Sequence, residues 1–513
     1  MKKKLLAISM AAALGGFAGS ASAMEVAESG IGLYNILPYY SVQEGNATLI
    51  HITNTDTAHG KAVKVRFRGA EWSDDVFDFQ VFLSPGDVWT GAVTRNGDVA
   101  RMTTNDTSCT LPANINQDFI TFRLVEGGTA GTREGYVEIL TMADIEYANP
   151  TRVDNANSPL ANAIKHVNGV PACGAAVSGL QEGANSIGSA TAPNQFTGDQ
   201  LVAPTGSLMS YATVINVPAS KAFTVAGTAL EPTEDFVGVA AGTTTNYFRQ
   251  ANALIAASRV SDLTDDGIFL GAGSVGTAAG TGLAMYQFDM PDLSTPIASG
   301  DTPDAQRDAV AAALARDAVA VEYVTDDGLR ATTDVVFNQP VRRFFYEYWR
   351  HATPVVPQDV AAYGSYTING AQFGIRGTDR YAELNGAANR IPVTAPTFYD
   401  REEGTIVSST DIVISPTPPS QALTYSLKGE ASVLAINNGA LPTGSLGASL
   451  TANNYDTGLS NPDGWATLSL TTPNGELLPT VGFTAINLFN AAVGAAGTNY
   501  GMTLPLRGNI GQN

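Results

Sequence analysis

Between Ala62 and Leu83 the chain alternates residue by residue. Val63, Val65 and Phe67 fall on one face, and Lys64, Arg66 and Arg68 on the other; from Val76 onward Phe77, Phe79, Val81 and Leu83 share a face again. A two-residue period sends successive side chains to opposite sides of a strand, so this stretch predicts paired β-strands. Ala47 to Thr53 is a further β-rich run, closed by Asn54-Thr55-Asp56. Ser84-Pro85-Gly86-Asp87 reads as a turn, because Pro suits its second position and Gly its third. Val88 to Val93 follows and ends at Asn96-Gly97-Asp98, and Phe119 to Leu124 and Gly135 to Leu140 continue the series. Short strands at this spacing indicate an antiparallel sandwich.

Residues 149–200 are rich in Asn, Ala, Gly and Ser and read as a long irregular connection. The middle is mixed. Ser207 to Val217 and Ala222 to Ala226 read as strands, and Asn246 to Arg259 as a helix capped by Thr245. Asp301-Thr302-Pro303-Asp304 predicts a second helix to about Asp317, with a capping hydroxyl, Pro at the first position and a carboxylate at the positive end of the dipole. Val319 to Val324 returns to β, and Thr333 to Tyr348 is a strand or strand pair broken by Pro340. In the last third, Thr397 to Tyr399, Ile406 to Ile414, Leu423 to Ile436, Gly464 to Thr471 and Val481 to Leu488 are divided by Gly, Pro and Asn turns. The expected fold is mainly β, with two antiparallel β-sandwich-like domains, a few short helices and long loops. Its boundaries are a signal peptide at 1–23, an N-terminal sandwich with a long disulfide-tied loop at 24–200, a mixed region at 201–394 and a C-terminal sandwich at 395–513.

The first residues predict export. Lys2, Lys3 and Lys4 precede an apolar run from Leu5 to Ala18, and Ala21-Ser22-Ala23 is a small-residue cleavage signal. Removing residues 1–23 takes away those three lysines and moves the formal net charge from −20 to −23. Such a balance argues against nucleic acid, whose phosphates need a basic partner. It argues equally against adhesion to anionic lipid. No later stretch is long and apolar enough for a transmembrane anchor. Charged residues make up only 15% of the chain, which suits strands and small-residue turns better than long surface helices. The two cysteines, Cys109 and Cys173, both lie in turn-rich sequence. In an oxidising compartment they are expected to form one bridge, worth about 4 kcal/mol on the chain-entropy account.

Several patterns invite a functional reading. Gly271 to Gly276 spells a dinucleotide fingerprint, but no βαβ unit surrounds it, so a flexible loop is expected. His51, His59, His166 and His351 are the four histidines, and His51 and His59 alone make a weak metal pair. Neither HExxH nor GxSxG occurs, and no catalytic centre is expected. Asp265-Asp266-Gly267, Asp326-Asp327-Gly328 and the Asp400, Glu402, Glu403 group place carboxylates at turn tips. The pairs Asp265, Asp266 and Asp326, Asp327 are the calcium candidates, the only cofactor considered. Lys64, Arg66 and Arg68 form a basic stripe that either meets lipopolysaccharide or pairs with Asp75 and Asp78. Phe344, Phe345, Tyr346, Tyr348 and Trp349 form an aromatic run that reads first as the two buried faces of a central strand, with Tyr346, Tyr348 and Trp349 as the glycan-binding candidates of the alternative. Phe77, Phe79, Trp89 and Trp465 are expected in the core.

Leu33 to Tyr40 with Ala47 to Asn54, Phe79 to Gly91 with its Ser-Pro-Gly-Asp-Val-Trp-Thr-Gly ending, His166 to Cys173, Val214 to Val217, Pro291 to Thr295, Glu322 to Val324, Pro340 to Phe345, Tyr399 to Glu403 and Leu478 to Tyr500 carry a joint resemblance. In order along nearly the whole mature chain, they resemble a family of large secreted proteobacterial proteins described as cell-surface or surface-layer-like. The resemblance implies one integrated secreted body in which the domain boundaries interleave, and it transfers no catalytic residue. Family members carry another Cys just before the Pro-Val of Ile391 to Val393; this chain has Asn389-Arg390 there, which puts a second bridge in doubt. The expected function is an exported, non-enzymatic structural protein of the Gram-negative cell surface, self-associating as a surface layer or matrix component. The alternatives are an adhesin or glycan-binding module contacting lipopolysaccharide or envelope polysaccharide, and a secreted hydrolase. Location is the cell surface or outside the cell, with the periplasm as alternative.

Overall fold

The computed structural model describes residues 24–232 and 303–508, apart from 122–123, 125–127, 148–157, 179, 181–200 and 203 in the first part and 343–345, 352–363, 369–370, 378–389, 394–395, 405–424, 437–442, 456, 458, 460, 473–474 and 494–496 in the second. The segments 1–23, 246–259, 265–267, 271–276 and 406–414, which carry the expected leader, first long helix, first calcium candidates, glycine loop and one strand, lie outside the described residues.

The chain is mainly β, built from several largely antiparallel sheets. An eight-stranded sheet runs Met24–Val26, Thr228–Pro232, Tyr34–Ser41, Glu134–Ile145, Gly60–Gly69, Asp75–Leu83 and Cys109–Leu111, with Leu201–Val202 added to Glu134–Ile145. A five-stranded sheet runs Lys221–Ala226, Leu208–Asn216, Ala47–Asn54, Val88–Asn96 and Val99–Thr103. The two face each other across one core, where Val63, Val65, Phe67 and Ile139 meet Ile50, Ile52, Trp89 and Val214. The alternation in the sequence is thus the alternation between this core and the other face. The turn at Ser84 to Asp87 forms, with Asp87 N donating to Ser84 O at 3.1 Å and Gly86 at φ +73°, the left-handed value that favours glycine. Phe119 to Leu124 does not form the expected strand in its described residues: the Phe119 and Ile120 amides bond Ala100 O and Val76 O, and the Phe119 ring stacks on Phe77 at 5.0 Å. Core packing of a loop accounts for its apolar character.

A second five-stranded sheet, Ala452–Tyr455, Ala431–Ile436, Thr332–Asn338, Val481–Asn490 and Thr498–Pro505, is buried on both faces along its central strands, its first two strands parallel and its last strand exposed or half-buried. Val336 and Val433 enter the core of the first sandwich, while Val335, Phe337, Leu434 and Ile436 enter another. Burial on both faces explains why Ala431–Ile436 reads as an unbroken run of small and apolar residues. Across the second core lies a four-stranded sheet of Thr397–Asp400, Asp463–Ser469, Ala318–Val324 and Arg507–Gly508. The Pro303–Leu314 helix adds Val310 and Leu314 to the same core. It stops before the expected Asp317 because Ala315–Arg316 pairs with Leu478–Pro479. The described strands between 201 and 232 all pair within the first two sheets, and Ala318–Val324 and Thr332–Asn338 pair with strands beyond 397. Strand pairing therefore runs across residues 200 and 394. None of the helices among the described residues is long and apolar enough to cross a membrane.

The basic stripe is enclosed. Lys64, Arg66 and Arg68 are 6%, 1% and 0% exposed. Lys64 bonds Asp78, Arg66 and Arg68 stand opposite Asp78 and Asp75 in register, and Arg68 Nε lies 2.8 Å from Glu138 Oε2. The stripe meets cross-strand acids, as the pairing with Asp75 and Asp78 expects, and its enclosure corrects the lipopolysaccharide alternative: buried cations offer that ligand no surface. Cys109 and Cys173 form the bridge, with Cα atoms 5.5 Å apart. It ties the 165–173 segment to the edge strand Cys109–Leu111 beside Phe82, Leu160 and Ile164.

Candidate functional site

The outward face of the first five-stranded sheet carries a groove of about 700 Å³. In Ala47–Asn54, Thr48, Ile50 and Ile52 are buried, so Leu49 and His51 belong to the opposite, half-buried phase. His51 stands between Tyr211 and Thr90 in the sheet register. Its ring stacks on Tyr211 at 4.2 Å with an interplanar angle of 11°. The groove lies on the Thr90 side, floored by Leu49, Gly91 and Ala92 and walled by Thr103, Asn105, Asp106 and Asn116.

The wall is held by its own polar groups. Asp106 Oδ2 accepts from the Thr90 amide at 3.0 Å, and Oδ1 from the Ser108 amide at 2.9 Å. Asn116 Oδ1 accepts from the Thr104 amide at 2.6 Å, while its Nδ2 donates to Thr104 O at 3.1 Å. Thr104 Oγ1 donates to Thr90 O at 2.6 Å. These bonds fix a loop against a strand, so the wall of the groove is held by the chain's own groups. Burial pushes the His51 imidazole below its ordinary pKa, which keeps it neutral near pH 7.

Other clusters have structural accounts. Asp56, His59 and Asp144 bring ligand atoms within 4.8 Å of one another. The fully buried Lys61 Nζ fills that space, at 3.0 Å from Asp56 Oδ2, 2.7 Å from Asp144 Oδ1 and 2.8 Å from Thr205 Oγ1. An ammonium already supplies the cation those carboxylates would offer a metal. Burial raises the Asp56 carboxyl, but the Ala58 and His59 amides and Lys61 outweigh it and hold the group well below the usual range. Ser84, Asp87 and His166 also converge, with Ser84 Oγ 3.4 Å and His166 Nδ1 3.5 Å from the same Asp87 oxygen. A nucleophilic triad needs the imidazole between hydroxyl and carboxylate; here the carboxylate is in the middle.

The expected site residues fall in different places. Asp326 caps a short turn, Oδ1 accepting from the Leu329 amide at 3.1 Å, and Asp327 opens that turn with its side chain exposed. Asp400 likewise closes a turn; the Asn461 amide, with the Gly404 and Glu402 N–H groups, holds its carboxyl below the usual range. Tyr346, Tyr348 and Trp349 lie on the strand Tyr346–His351, paired with Ala371–Gly377, and their side chains are outside the described residues. Phe77, Phe79 and Trp89 are core residues. Trp465 is not: it is 39% exposed and stacks on Tyr399 at 4.5 Å and 13°. Ala466, Leu468 and Leu470 take the core face of that strand and its continuation, which leaves Trp465 on the outer one. Of the groove, sequence reasoning singled out only His51, as half of a metal pair. The outward phase of Ala47–Asn54 and Val88–Asn96 was the available signal for Leu49, Thr90 and Ala92.

No family model, curated protein or solved structure matches this chain.

Proposed function

We propose that this chain is an exported, non-enzymatic structural protein of the cell surface, self-associating as a surface-layer or matrix component. One observation carries the reading: its buried carboxylates brace segments remote in sequence. Glu134 Oε1 accepts from the Ser449 amide at 2.9 Å, and Asp334 Oδ2 from the Ser445 and Leu446 amides at 3.0 and 2.7 Å. Asn338 Nδ2 donates to Pro38 O at 3.2 Å, and Tyr136 Oη to Pro340 O at 3.1 Å. Together with a sheet shared by two cores, these bonds tie the described parts before 232 and after 303 to each other, which suits a structural unit. The leader-like N-terminus and acidity support export and solubility before assembly, and the resemblance noted above points the same way. Calcium bridging through Asp265, Asp266, Asp326 and Asp327 is part of the proposal.

Surface proteolysis of intact cells tests location. Cleavage of the chain on unbroken cells supports the reading; protection until the outer membrane is opened would place it in the periplasm and contradict it.

A further inference from the structure

We infer that the groove beside His51 binds a neutral saccharide chain. Tyr211 covers one face of the imidazole, and His51 lines the groove together with Thr90, its register neighbour on the side away from Tyr211. A neutral aromatic ring face attracts the C–H face of a pyranose, because the ring face is electron-rich and the C–H hydrogens are electron-poor. Thr90, Thr103, Asn105 and Asn116 line the same groove: the Thr90 and Thr103 hydroxyls donate to Asp106 and Ala92 O and keep their oxygens to accept from a sugar hydroxyl, and Asn105 presents an exposed amide that both donates and accepts. Asn105 and Asn116 are exposed at the rim, within reach of a ligand arriving from solvent. Among the described residues the lining holds one carboxylate, Asp106, and neither Lys nor Arg, in a chain of net charge −20. That field disfavours phosphate, sulfate and uronic acid and accepts an uncharged polyhydroxyl ligand. The volume of about 700 Å³ lies within the roughly 300–1,000 Å³ of small-molecule sites.

A peptide fits less well. Extended peptides add to a sheet edge, and here Ala47–Asn54 and Val88–Asn96 pair on both sides. A purely apolar ligand would find only Leu49, Gly91 and Ala92 beneath it. The inference does not rest on the surface-layer reading, since a braced surface protein and a periplasmic one can each carry such a groove.

The test uses the mature chain on an array of neutral oligosaccharides built from glucose, galactose, mannose or N-acetylglucosamine, beside sulfated and uronic counterparts, with affinities from calorimetry. Binding to a neutral glycan is expected, weakened about threefold to tenfold by His51→Ala and again by Asn105→Ala. Met209→Ala, exposed on the same sheet, leaves it unchanged. Asn105 is exposed, so its variant keeps the melting temperature and separates lost contact from lost fold. Absence of neutral-glycan binding, preference for the anionic glycans, or loss on Trp349→Ala with retention on His51→Ala would each overturn the inference.

Discussion

Arg68 Nε lies 2.8 Å from Glu138 Oε2, with both side chains fully enclosed. Glu138 also accepts from Tyr34 Oη at 2.8 Å, so three strands of the eight-stranded sheet meet at one carboxylate. Removing one partner strands the other charge in a dry interior. Glu138→Ala is expected to cost about 3–5 kcal/mol in urea denaturation, and Arg68→Met with Glu138→Leu to recover most of that loss. Equal loss in the single and double variants would show that packing, rather than the uncompensated charge, dominates.

The Cys109–Cys173 bridge closes a loop with a sequence separation of 64. On the chain-entropy account, replacing both cysteines by Ser costs about 4 kcal/mol. Denaturation of the double variant against wild type, each under non-reducing conditions, measures it. A loss well below about 1 kcal/mol would mean that the unfolded chain is already restrained in this region.

Burial pushes the Asp334 carboxyl up from 3.8 to about 6, against the Leu446 and Ser445 amides and Lys221, which pull it down. Between those values the folded state holds a proton that the unfolded state has released. Stability from this group is therefore fully present below the unfolded value and is lost as pH rises through about 6. Comparing urea midpoints of wild type and Asp334→Asn from pH 4 to 7 checks it: the wild type declines relative to the variant across the window. An opposite slope would refute the assignment.

Trp89 and Trp465 separate two faces of the molecule. Trp89 is fully buried, so Trp89→Ala is expected to cost about 3–5 kcal/mol. Trp465 stacks on Tyr399 at the surface, so Trp465→Ala is expected to cost about 1 kcal/mol or less. Similar losses for both would contradict the outward placement of Trp465.

How much of this was legible varies by element. Strict alternation marked Gly60–Gly69 and Asp75–Leu83, and the Pro303 start marked its helix, because local patterning determines local structure. The outward phase of Trp465 was also present, opposite Ala466, Leu468 and Leu470, and size misled the reading toward the core. What no local pattern carries is pairing at long separation. Leu208–Asn216 lies beside Ala47–Asn54, and that neighbour places Tyr211 against His51. The enclosure of Lys64, Arg66 and Arg68 is likewise a property of the layer above them, since alternating charge reads the same on a wet face. The groove depends on Asn116 reaching Thr104, a contact between a loop and the end of a strand that sequence spacing does not reveal.

Electron microscopy of cells and of the purified protein, with calcium and then with chelator, tests the structural role most directly. The account predicts an ordered layer or fibrous matrix at the cell surface, re-formed by purified protein in calcium and dispersed by chelator. Protein that stays monomeric in calcium and is missing from the surface of the cell would contradict it.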